Sequence, residues 1–173
     1  MPNQTALPPI ISVVGYSKTG KKTFLVKLVH ELTDSGYRIG VIKHSTHTFD
    51  LAAPGKDTWK HAQAGAKAVA FASPAEVAIT RQLDREMSIE EIAIMLGDVD
   101  MILTEGYKHA HKPKIEVSRQ ERGTDLVSPT KELVAIVSDY PIDLDIPRFD
   151  FNDAAGVAKL LQLRFLSRPS ILK

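Results

Sequence analysis

The chain has 173 residues, with 22 Lys and Arg against 21 Asp and Glu and no cysteine. Charges that nearly cancel exclude an overall field that would draw the protein to nucleic acid or to a membrane, so any anion site must be local. The absence of cysteine excludes disulfides and thiolate metal sites, and the length suits one compact domain.

The first nine residues lack the basic start and the long apolar core of a signal peptide. No apolar run approaches the roughly 20 residues that a membrane span requires. We therefore predict a cytoplasmic protein that has no membrane partner and no nucleic-acid partner.

The first elements in chain order are a strand, a helix and a second strand. Ile10–Val14 is a short apolar run rich in β-branched residues, which is typical of a strand buried on both faces. Apolar residues then recur at helical spacing from Lys21, and Gly36 is expected to end that helix. With Ile39–Ile42 as the second strand, the segment predicts a βαβ unit with a right-handed crossover.

Helical and extended patterns go on alternating beyond this unit. A helix is predicted at 56–65 and another after Ser88, which forms a capping box with Glu91. This order predicts an α/β fold in which helices cover a mostly parallel sheet. The remaining predicted elements are the strands Ala68–Ala72 and Val77–Thr80 around the Ser73-Pro74 turn, the strands Met101–Thr104, Ile115–Val117 and Leu133–Val137, and a helix from Asn152 or Asp153 to Leu163.

Between the first strand and the first helix lies a glycine-rich turn, Gly15-Tyr16-Ser17-Lys18-Thr19-Gly20-Lys21-Lys22-Thr23. Glycines at its first and sixth positions allow backbone N–H groups to turn inward around an anion, and Lys21 can reach the outer phosphates of a nucleotide. The helix that follows adds unpaired N–H groups and the positive end of its dipole. The turn predicts a nucleoside triphosphate site and a three-layer fold of the P-loop NTPase type. The alternative is a glycine-rich turn that binds no ligand.

One position departs from the usual phosphate-loop pattern. Lys22 stands where G-x-x-x-x-G-K-[ST] has a hydroxyl for Mg²⁺, and the hydroxyl comes one residue later, at Thr23. An ammonium group at this position would repel the metal. Three explanations stay open: Thr23 serves after a small shift of the loop, Lys22 itself neutralises phosphate charge, or nucleotide binding is weak and poor in metal.

Polar residues follow two of the predicted strands. The segments 43–50 and 54–57 come after the second strand, and the segment 105–109 comes after the strand at 101–104. Ligands of open α/β sheets bind beyond the carboxyl ends of the strands, so these segments should face the phosphate loop. Glu105 would then meet Mg²⁺ or its water shell, unless it is a solvated residue of a turn.

Two histidines and an aspartate in the first of these segments have the chemistry to ligate a transition metal. His44, His47 and Asp50 provide two imidazoles and a carboxylate. Positions in an irregular loop do not fix ligand geometry, so we favour contact with substrate or phosphate over a metal site or over loop histidines that have no function. The lysines near the same strand ends are either further anion contacts or ordinary solvated lysines; they are Lys43, Lys56 and Lys108.

These motifs together make the chain similar to a known family. It resembles the molybdopterin-guanine dinucleotide biosynthesis protein B family from about Ile10 to Leu161, nearly the whole chain. A phosphate loop alone is common to many folds, whereas K-H-x-x-H-x-x-D followed by P-G-K-D and then E-G-Y-K is much more specific. The matching segments are Gly15 to Thr23, Ile42-Lys43-His44 with His47 and Asp50, Pro54-Gly55-Lys56-Asp57, Ala64-Gly65-Ala66, Thr104-Glu105-Gly106-Tyr107-Lys108 and Ala135-Ile136-Val137-Ser138-Asp139.

The resemblance implies a dimeric P-loop protein that binds GTP and Mg²⁺ and assists the attachment of GMP to molybdopterin. Its implied partners are molybdopterin, a second copy of the chain and the guanylyltransferase that makes the guanine dinucleotide form of the molybdenum cofactor. By position, Lys21 and Glu105 would lie closest to the chemistry, and Thr23, Asp50 and Glu105 would meet Mg²⁺. The candidate nucleotide and pterin contacts are Gly15, Ser17, Lys18, Thr19, Gly20, Lys21, Lys22, Thr23, His44, His47, Asp50, Lys56, Asp57, Gly106, Lys108 and Asp139.

The preference for guanine is implied by the resemblance, because the N-K-x-D signature of other GTPases is absent. Asp139 is the best available carboxylate to accept from the N1 and N2 hydrogens of guanine, although before Pro141 it could equally form a turn. GTP hydrolysis is expected to be slow, since no glutamine or arginine is clearly placed to assist it. Arginines that a partner subunit could supply are Arg81, Arg85, Arg119 and Arg122.

Two other functions stay open. An ATP-dependent ligase or kinase resembling dethiobiotin synthetase would share the phosphate loop and the acidic E-G segment, and would prefer ATP. A metal-delivery GTPase resembling the nickel-insertion proteins would use His44, His47, His109 and His111. The expected divisions of the chain are a flexible terminus at 1–9, a P-loop nucleotide-binding domain at 10–165 and a tail at 166–173.

Overall fold

The structure, a computed structural model, describes residues 7–45 and 57–166. The chain forms two compact units, one made by the chain up to His44 and from Glu90 onward, and the other by Ser45–Ile89. In chain order the strands are β1 (Ile10–Val14), β2 (Ile39–Lys43), β3 (Ala68–Ala72), β4 (Val77–Arg81), β5 (Met101–Glu105), β6 (Lys114–Ser118), β7 (Leu133–Ser138) and β8 (Arg148–Phe149). The helices are α1 (Lys21–Asp34), α2 (Asp57–Gln63), α3 (Ile89–Met95) and α4 (Ala154–Phe165).

The larger unit contains one six-stranded sheet in the order β2-β5-β1-β6-β7-β8. All of its neighbouring strands run parallel. Every residue of β1 and β6 is buried, as expected of central strands that are covered on both faces. The predicted α/β fold with a mostly parallel sheet is confirmed.

The parallel arrangement places the carboxyl ends of the strands at one edge of the sheet. Strand β5 lies between β1 and β2, with Glu105 opposite both Val13 and Lys43. On the other side of β1, Val14 lies opposite Glu116 of β6. The loops that follow β1, β2, β5 and β6 therefore begin at the edge where ligands of such sheets bind.

Helix α1 is fixed to the sheet by a shared apolar core. Phe24, Leu28 and Leu32 are at most 1% exposed, and they belong to the same core cluster as Val157 and Leu161 of α4. Full burial of one such side chain contributes about 1.5–3 kcal/mol. The start of α1, where the glycine-rich turn ends, is thereby held in a fixed position at the sheet edge.

Strands β1, β5 and β6 also carry buried polar side chains, which form hydrogen bonds within the chain. The Thr104 hydroxyl donates to Ser12 Oγ at 3.0 Å between neighbouring strands. The fully buried Lys114 ammonium donates to the Ala110 carbonyl and to the Glu132 carboxylate. Burial of such groups is tolerated because each one is hydrogen-bonded.

In the smaller unit, β3 and β4 form an antiparallel hairpin in which Ala72 pairs with Val77. The turn is closed by Ser73, whose hydroxyl oxygen accepts from the Glu76 N–H at 3.0 Å and whose N–H donates to the Glu76 carbonyl at 2.8 Å. The predicted hairpin is confirmed. Every residue of β4 and all of β3 except Val69 are exposed.

Some element ends differ from the sequence prediction. Helix α2 is shorter than the predicted 56–65, because Gly65 with φ 101° lies in the turn that closes it. Helix α4 begins after Asp153, whose carboxylate accepts from the Gly156 N–H at 2.9 Å, and it continues to Phe165. The sequence does not predict β8, since two residues carry too little pattern. Among the described helices, none is long and apolar enough to span a bilayer.

Candidate nucleotide-binding site

The turn after β1 follows a path that requires glycine at its first position. Gly15 has φ 138°, and a Cβ added there would lie 2.2 Å from the Val117 carbonyl oxygen of β6. Any side chain would therefore collide with the backbone of the neighbouring strand. The packing of the turn against β6 thus explains the first glycine of the phosphate-loop pattern.

Two residues with left-handed backbone conformation connect the turn to α1. Lys18 and Gly20 have φ values of 64° and 91°, and Gly20 precedes the first residue of the helix. The buried Thr19 donates its hydroxyl to the Tyr16 carbonyl at 2.9 Å, which ties the turn together from inside. Gly20 offers no side chain to cap α1, and the first helical turn holds no acidic residue. The N–H groups of that turn and the positive end of the helix dipole are therefore suited to an anion.

The Lys21 ammonium lies over the turn. Its Nζ donates to the Gly15 carbonyl at 2.9 Å and to the Tyr16 carbonyl at 2.5 Å. Burial lowers the pKa of Lys21, while the carboxylates of Glu105 and Glu116 act in the opposite direction. Phosphate oxygens could replace these two carbonyls as acceptors and would add a charge of opposite sign.

The two residues that follow Lys21 have different surroundings. Lys22 and Thr23 are both exposed at the start of α1. Thr23 also lines a cavity together with Gly20 and Phe24. Thr23, whose hydroxyl comes one residue after the position where the usual phosphate-loop pattern has one, therefore lies beside both the turn and this cavity.

Glu105 lies at the end of β5, at the predicted edge of the sheet. Its side chain is 20% exposed, and its carboxylate is 3.8 Å from the Lys43 ammonium. Its charge opposes the larger effect of burial, which lowers the pKa of Lys21. The sequence prediction that an acidic residue after this strand faces the phosphate loop agrees with this placement.

The chain segments after β2 and β5 meet, as the parallel sheet requires. The His44 N–H donates to the Glu105 carbonyl at 3.0 Å, and the His44 ring lies 4.4 Å from the Tyr107 ring between centroids. Gly106 has φ 105°, and a Cβ there would lie 3.3 Å from His44 Cβ. Gly106 is thus the point where these two segments pass close to each other.

Several predicted site residues fall elsewhere or outside the described residues. His47, Asp50 and Lys56 lie outside them. Asp57 begins α2 in the smaller unit and pairs with Lys60 at 3.3 Å. The exposed side chains Ser17 and Lys108 lie in the turns after β1 and β5.

The structure offers no transition-metal site among the residues it describes. In residues 7–45 and 57–166, no three His, Asp or Glu side chains are grouped to hold a metal ion. His111, one of the histidines considered for metal delivery, instead lies 2.9 Å from the Glu132 carboxylate through its Nδ1. Asp100 lies at the start of β5, where it accepts from Arg38 and where that arginine lowers its pKa.

Arg119 is a site residue that the sequence suggested only as a possible supply from a partner subunit. It follows β6 and contacts the phosphate loop of its own chain, with Nε donating to the Thr19 carbonyl at 3.2 Å. Its Nη1 donates to Asp139 Oδ2 at 3.3 Å, and its guanidinium lies 3.9 Å from the centroid of the Phe151 ring. Its position directly after a strand was the signal that could have identified it.

Arg119, Asp139 and Phe151 line a cavity of about 370 Å³ beside the glycine-rich turn. The cavity extends from the start of α1 to the segments after β6, β7 and β8. Its lining is formed by Gly20, Thr23, Phe24, Lys27, Arg119, Asp139, Asp150, Phe151 and Asn152.

Glu116 is a second residue near the turn that sequence reasoning missed. Its side chain is 1% exposed on β6, and its two carboxylate oxygens accept from the N–H groups of Val127 at 2.6 Å and Ser128 at 3.0 Å. Its charge also opposes the lowering of the Lys21 pKa by burial. A charged residue within an apolar strand was the available signal.

The fold and this turn define a P-loop NTPase-like α/β protein. The family model for molybdopterin guanine dinucleotide synthesis protein B, MobB, matches residues 10–139, which is most of the chain. The chain therefore belongs to the MobB family.

Sequence relatives and solved structures agree with this assignment. The chain is 34% identical over 157 residues to the molybdopterin-guanine dinucleotide biosynthesis adapter protein of Escherichia coli, covering 87% of this chain and 89% of that protein. It is 32% identical over 156 residues to the adapter protein of the same name from Haemophilus influenzae, with coverages of 89% and 88%. The crystal structure of Bacillus subtilis MobB superposes with a TM-score of 0.72 at 26% identity, covering 92% of this chain and 98% of that one.

Proposed function

We propose that this chain is an adapter in molybdopterin-guanine dinucleotide biosynthesis that binds GTP with Mg²⁺ at the turn Gly15–Thr23. The observation that carries the proposal is the Lys21 ammonium held over a left-handed glycine turn, with the open first turn of α1 beside it. Family membership supports the assignment to this pathway, and the geometry of the turn supports the proposal that phosphates bind there.

The phosphates would bind to the backbone N–H groups of the turn and to the Lys21 ammonium. A polyanion there gains from the helix dipole and from hydrogen bonds that lie in a fixed frame.

The residues near the turn fit Mg²⁺ only in part. The Glu105 carboxylate is a hard oxygen ligand suited to Mg²⁺ or to its bound water. Lys22 has no lone pair to offer and brings a like charge to the position where the pattern expects a hydroxyl. We propose that Glu105 holds the cation, that Thr23 assists it, and that hydrolysis of GTP is slow.

Replacing Lys22 by threonine is expected to tighten GTP binding by roughly tenfold in the presence of Mg²⁺, which corresponds to about 1.4 kcal/mol. The new hydroxyl would coordinate the metal, and the repulsion by the ammonium would be removed. Titration calorimetry with and without EDTA measures the effect, and the gain should vanish in EDTA. Weaker binding of GTP under both conditions would instead make Lys22 a phosphate ligand.

Calorimetry with GTP, ATP and GMP, each with and without Mg²⁺, tests the proposed nucleotide. We expect GTP to bind most tightly and its binding to stimulate guanine dinucleotide formation when molybdopterin and the guanylyltransferase are present. An equal or higher affinity for ATP would favour a ligase or kinase. Stoichiometric Ni²⁺ or Zn²⁺ in the purified protein would favour metal delivery.

We further propose that the chain works as a homodimer formed through the hairpin β3–β4. Phe71 is 63% exposed on one face of the hairpin, and Val77 and Ile79 are 66% and 56% exposed on the other. A two-stranded hairpin with two open apolar faces is marginally stable by itself in water. A second copy of the same hairpin would offer a matching apolar face, and packing of the two copies through Val77 and Ile79 would bury these side chains.

Replacing Ile79 by lysine is expected to weaken the dimer by about 100-fold or more, because each interface would lose two buried apolar side chains of about 1.5–3 kcal/mol each. Sedimentation equilibrium measures the monomer–dimer constant. The matched control is Leu163→Lys on α4, where the leucine is 78% exposed. Equal effects of the two changes, or a monomeric starting protein, would contradict a dimer built on the hairpin.

A further inference from the structure

We infer that the 370 Å³ cavity beside the phosphate loop binds the purine base of the nucleotide, and that Asp139 selects guanine there. The inference rests on the proposed nucleotide site, because the cavity begins at Gly20 and Thr23, where the phosphates would bind. A nucleotide whose phosphates occupy the turn would extend its nucleoside part into this space.

The size and construction of the cavity suit a ligand of this kind. Its volume falls in the range of about 300–1,000 Å³ that is usual for small-molecule sites. Two sides of the cavity are tied together, since Lys27 Nζ of α1 donates to Asn152 Oδ1 at 2.9 Å. The space is therefore held open by contacts within the chain.

Flat groups in the lining favour a flat, aromatic ligand. The Phe151 ring and the Arg119 guanidinium are stacked at 3.9 Å. Bases stack on aromatic rings and on guanidinium planes, whatever their identity. This pair would bind any purine and would give no preference among them.

Asp139 supplies the preference. One of its oxygens accepts from the Gln120 N–H at 3.0 Å and the other from Arg119 at 3.3 Å, which orients the carboxylate. An ionised carboxylate has about four lone-pair sites, so two remain to accept further hydrogen bonds. The N1–H and N2–H groups of guanine present two donors side by side, whereas adenine presents an acceptor at N1.

The pattern of hydrogen-bond donors and acceptors on the base also distinguishes guanine from xanthine. Xanthine keeps the N1 hydrogen but carries an oxygen at position 2, which a carboxylate repels. An amide at position 139 would accept from N1–H and donate to that oxygen. Its own oxygen could also keep accepting from the Gln120 N–H.

The test compares the binding of GTP, XTP and inorganic triphosphate to the full chain and to Asp139→Asn. We expect the substitution to weaken GTP binding by roughly 10- to 100-fold, as for the loss of hydrogen bonds to a charged group. XTP should become the preferred nucleotide. Inorganic triphosphate, which has no base, should bind equally well to both proteins. Asp143→Asn, the same change at an exposed aspartate four residues further on, should leave the ratio of GTP to XTP affinity unchanged.

Each outcome separates the two proposals. An unchanged ratio of GTP to XTP affinity in Asp139→Asn overturns the base site while leaving the phosphate site intact. Weaker binding of inorganic triphosphate to this variant would mean that Asp139 only supports the loop through Arg119, which also overturns it. Failure of the unaltered protein to bind GTP or triphosphate overturns both.

Discussion

Replacement of Lys21 by alanine is expected to weaken GTP binding by roughly 30- to 5,000-fold while the fold stays intact. Removing one member of a desolvated, hydrogen-bonded charge pair costs about 2–5 kcal/mol, and tenfold in affinity corresponds to about 1.4 kcal/mol. Lys21 donates to the carbonyls of Gly15 and Tyr16 within its own turn and is not part of the apolar core. The effect should therefore fall on binding rather than on stability.

The size of this effect depends on where the Lys21 ammonium lies. Its pKa is lowered by burial, which means that it has lost part of its hydration. A phosphate would therefore bind to an ammonium that is already partly desolvated. The free-energy cost of removing water from this ammonium on binding is smaller for that reason. The carboxylates of Glu105 and Glu116 act against this lowering of the Lys21 pKa.

Calorimetry with GTP and thermal unfolding of the same samples check the prediction together. Lys159→Ala on α4, which removes an exposed lysine outside the turn, serves as the matched control. It should change neither the affinity nor the melting temperature. GTP affinity that survives in Lys21→Ala would remove this lysine from the phosphate site.

The second large effect is expected from Gly15→Ala, which should destabilise the protein by about 2–6 kcal/mol and abolish nucleotide binding. The added Cβ would meet the Val117 carbonyl oxygen at 2.2 Å, at a φ of 138° that side chains rarely adopt. Strain at such a backbone conformation costs about 1–3 kcal/mol, and overpacking costs about 1–3 kcal/mol more. The only relief is to push the turn away from β6, which moves its N–H groups.

Gly20→Ala separates the clash from the strain. Gly20 also has a positive φ, of 91°, but the nearest atoms to an added Cβ are side-chain atoms of Arg119 and Phe151 at 3.6 Å. Only the backbone cost of about 1–2 kcal/mol should remain. Urea unfolding of both variants gives the comparison. Equal destabilisation would mean that contact with β6 is not what makes the first glycine necessary.

The phosphate loop is predictable from the sequence because its causes are local. The glycines, Lys21 and the start of α1 lie within nine consecutive residues, and apolar runs on either side identify the strand and the helix. Strand direction was sufficient to place Glu105 at the end of β5 that lies near this turn. A two-residue strand such as β8 has no comparable signal.

The order of the strands is not local, and it decides the rest of the site. Arg119 reaches the Thr19 carbonyl across 100 residues of chain because β6 lies beside β1. Asp139 and Phe151 join it because β7 and β8 follow in the sheet. Periodicity does not encode which strand lies next to which. The sequence alone therefore predicted neither the position of Arg119 beside the turn nor its hydrogen bond to Asp139.

The sequence by itself thus determined the fold class, the phosphate loop and the family, since these depend on short-range spacing and on residue types at single positions. Only the tertiary structure brought Arg119, Asp139 and Phe151 to one cavity beside that loop. The physical reason is that hydrogen bonding between parallel strands fixes which loops share an edge, and that pairing is settled by packing of the whole sheet.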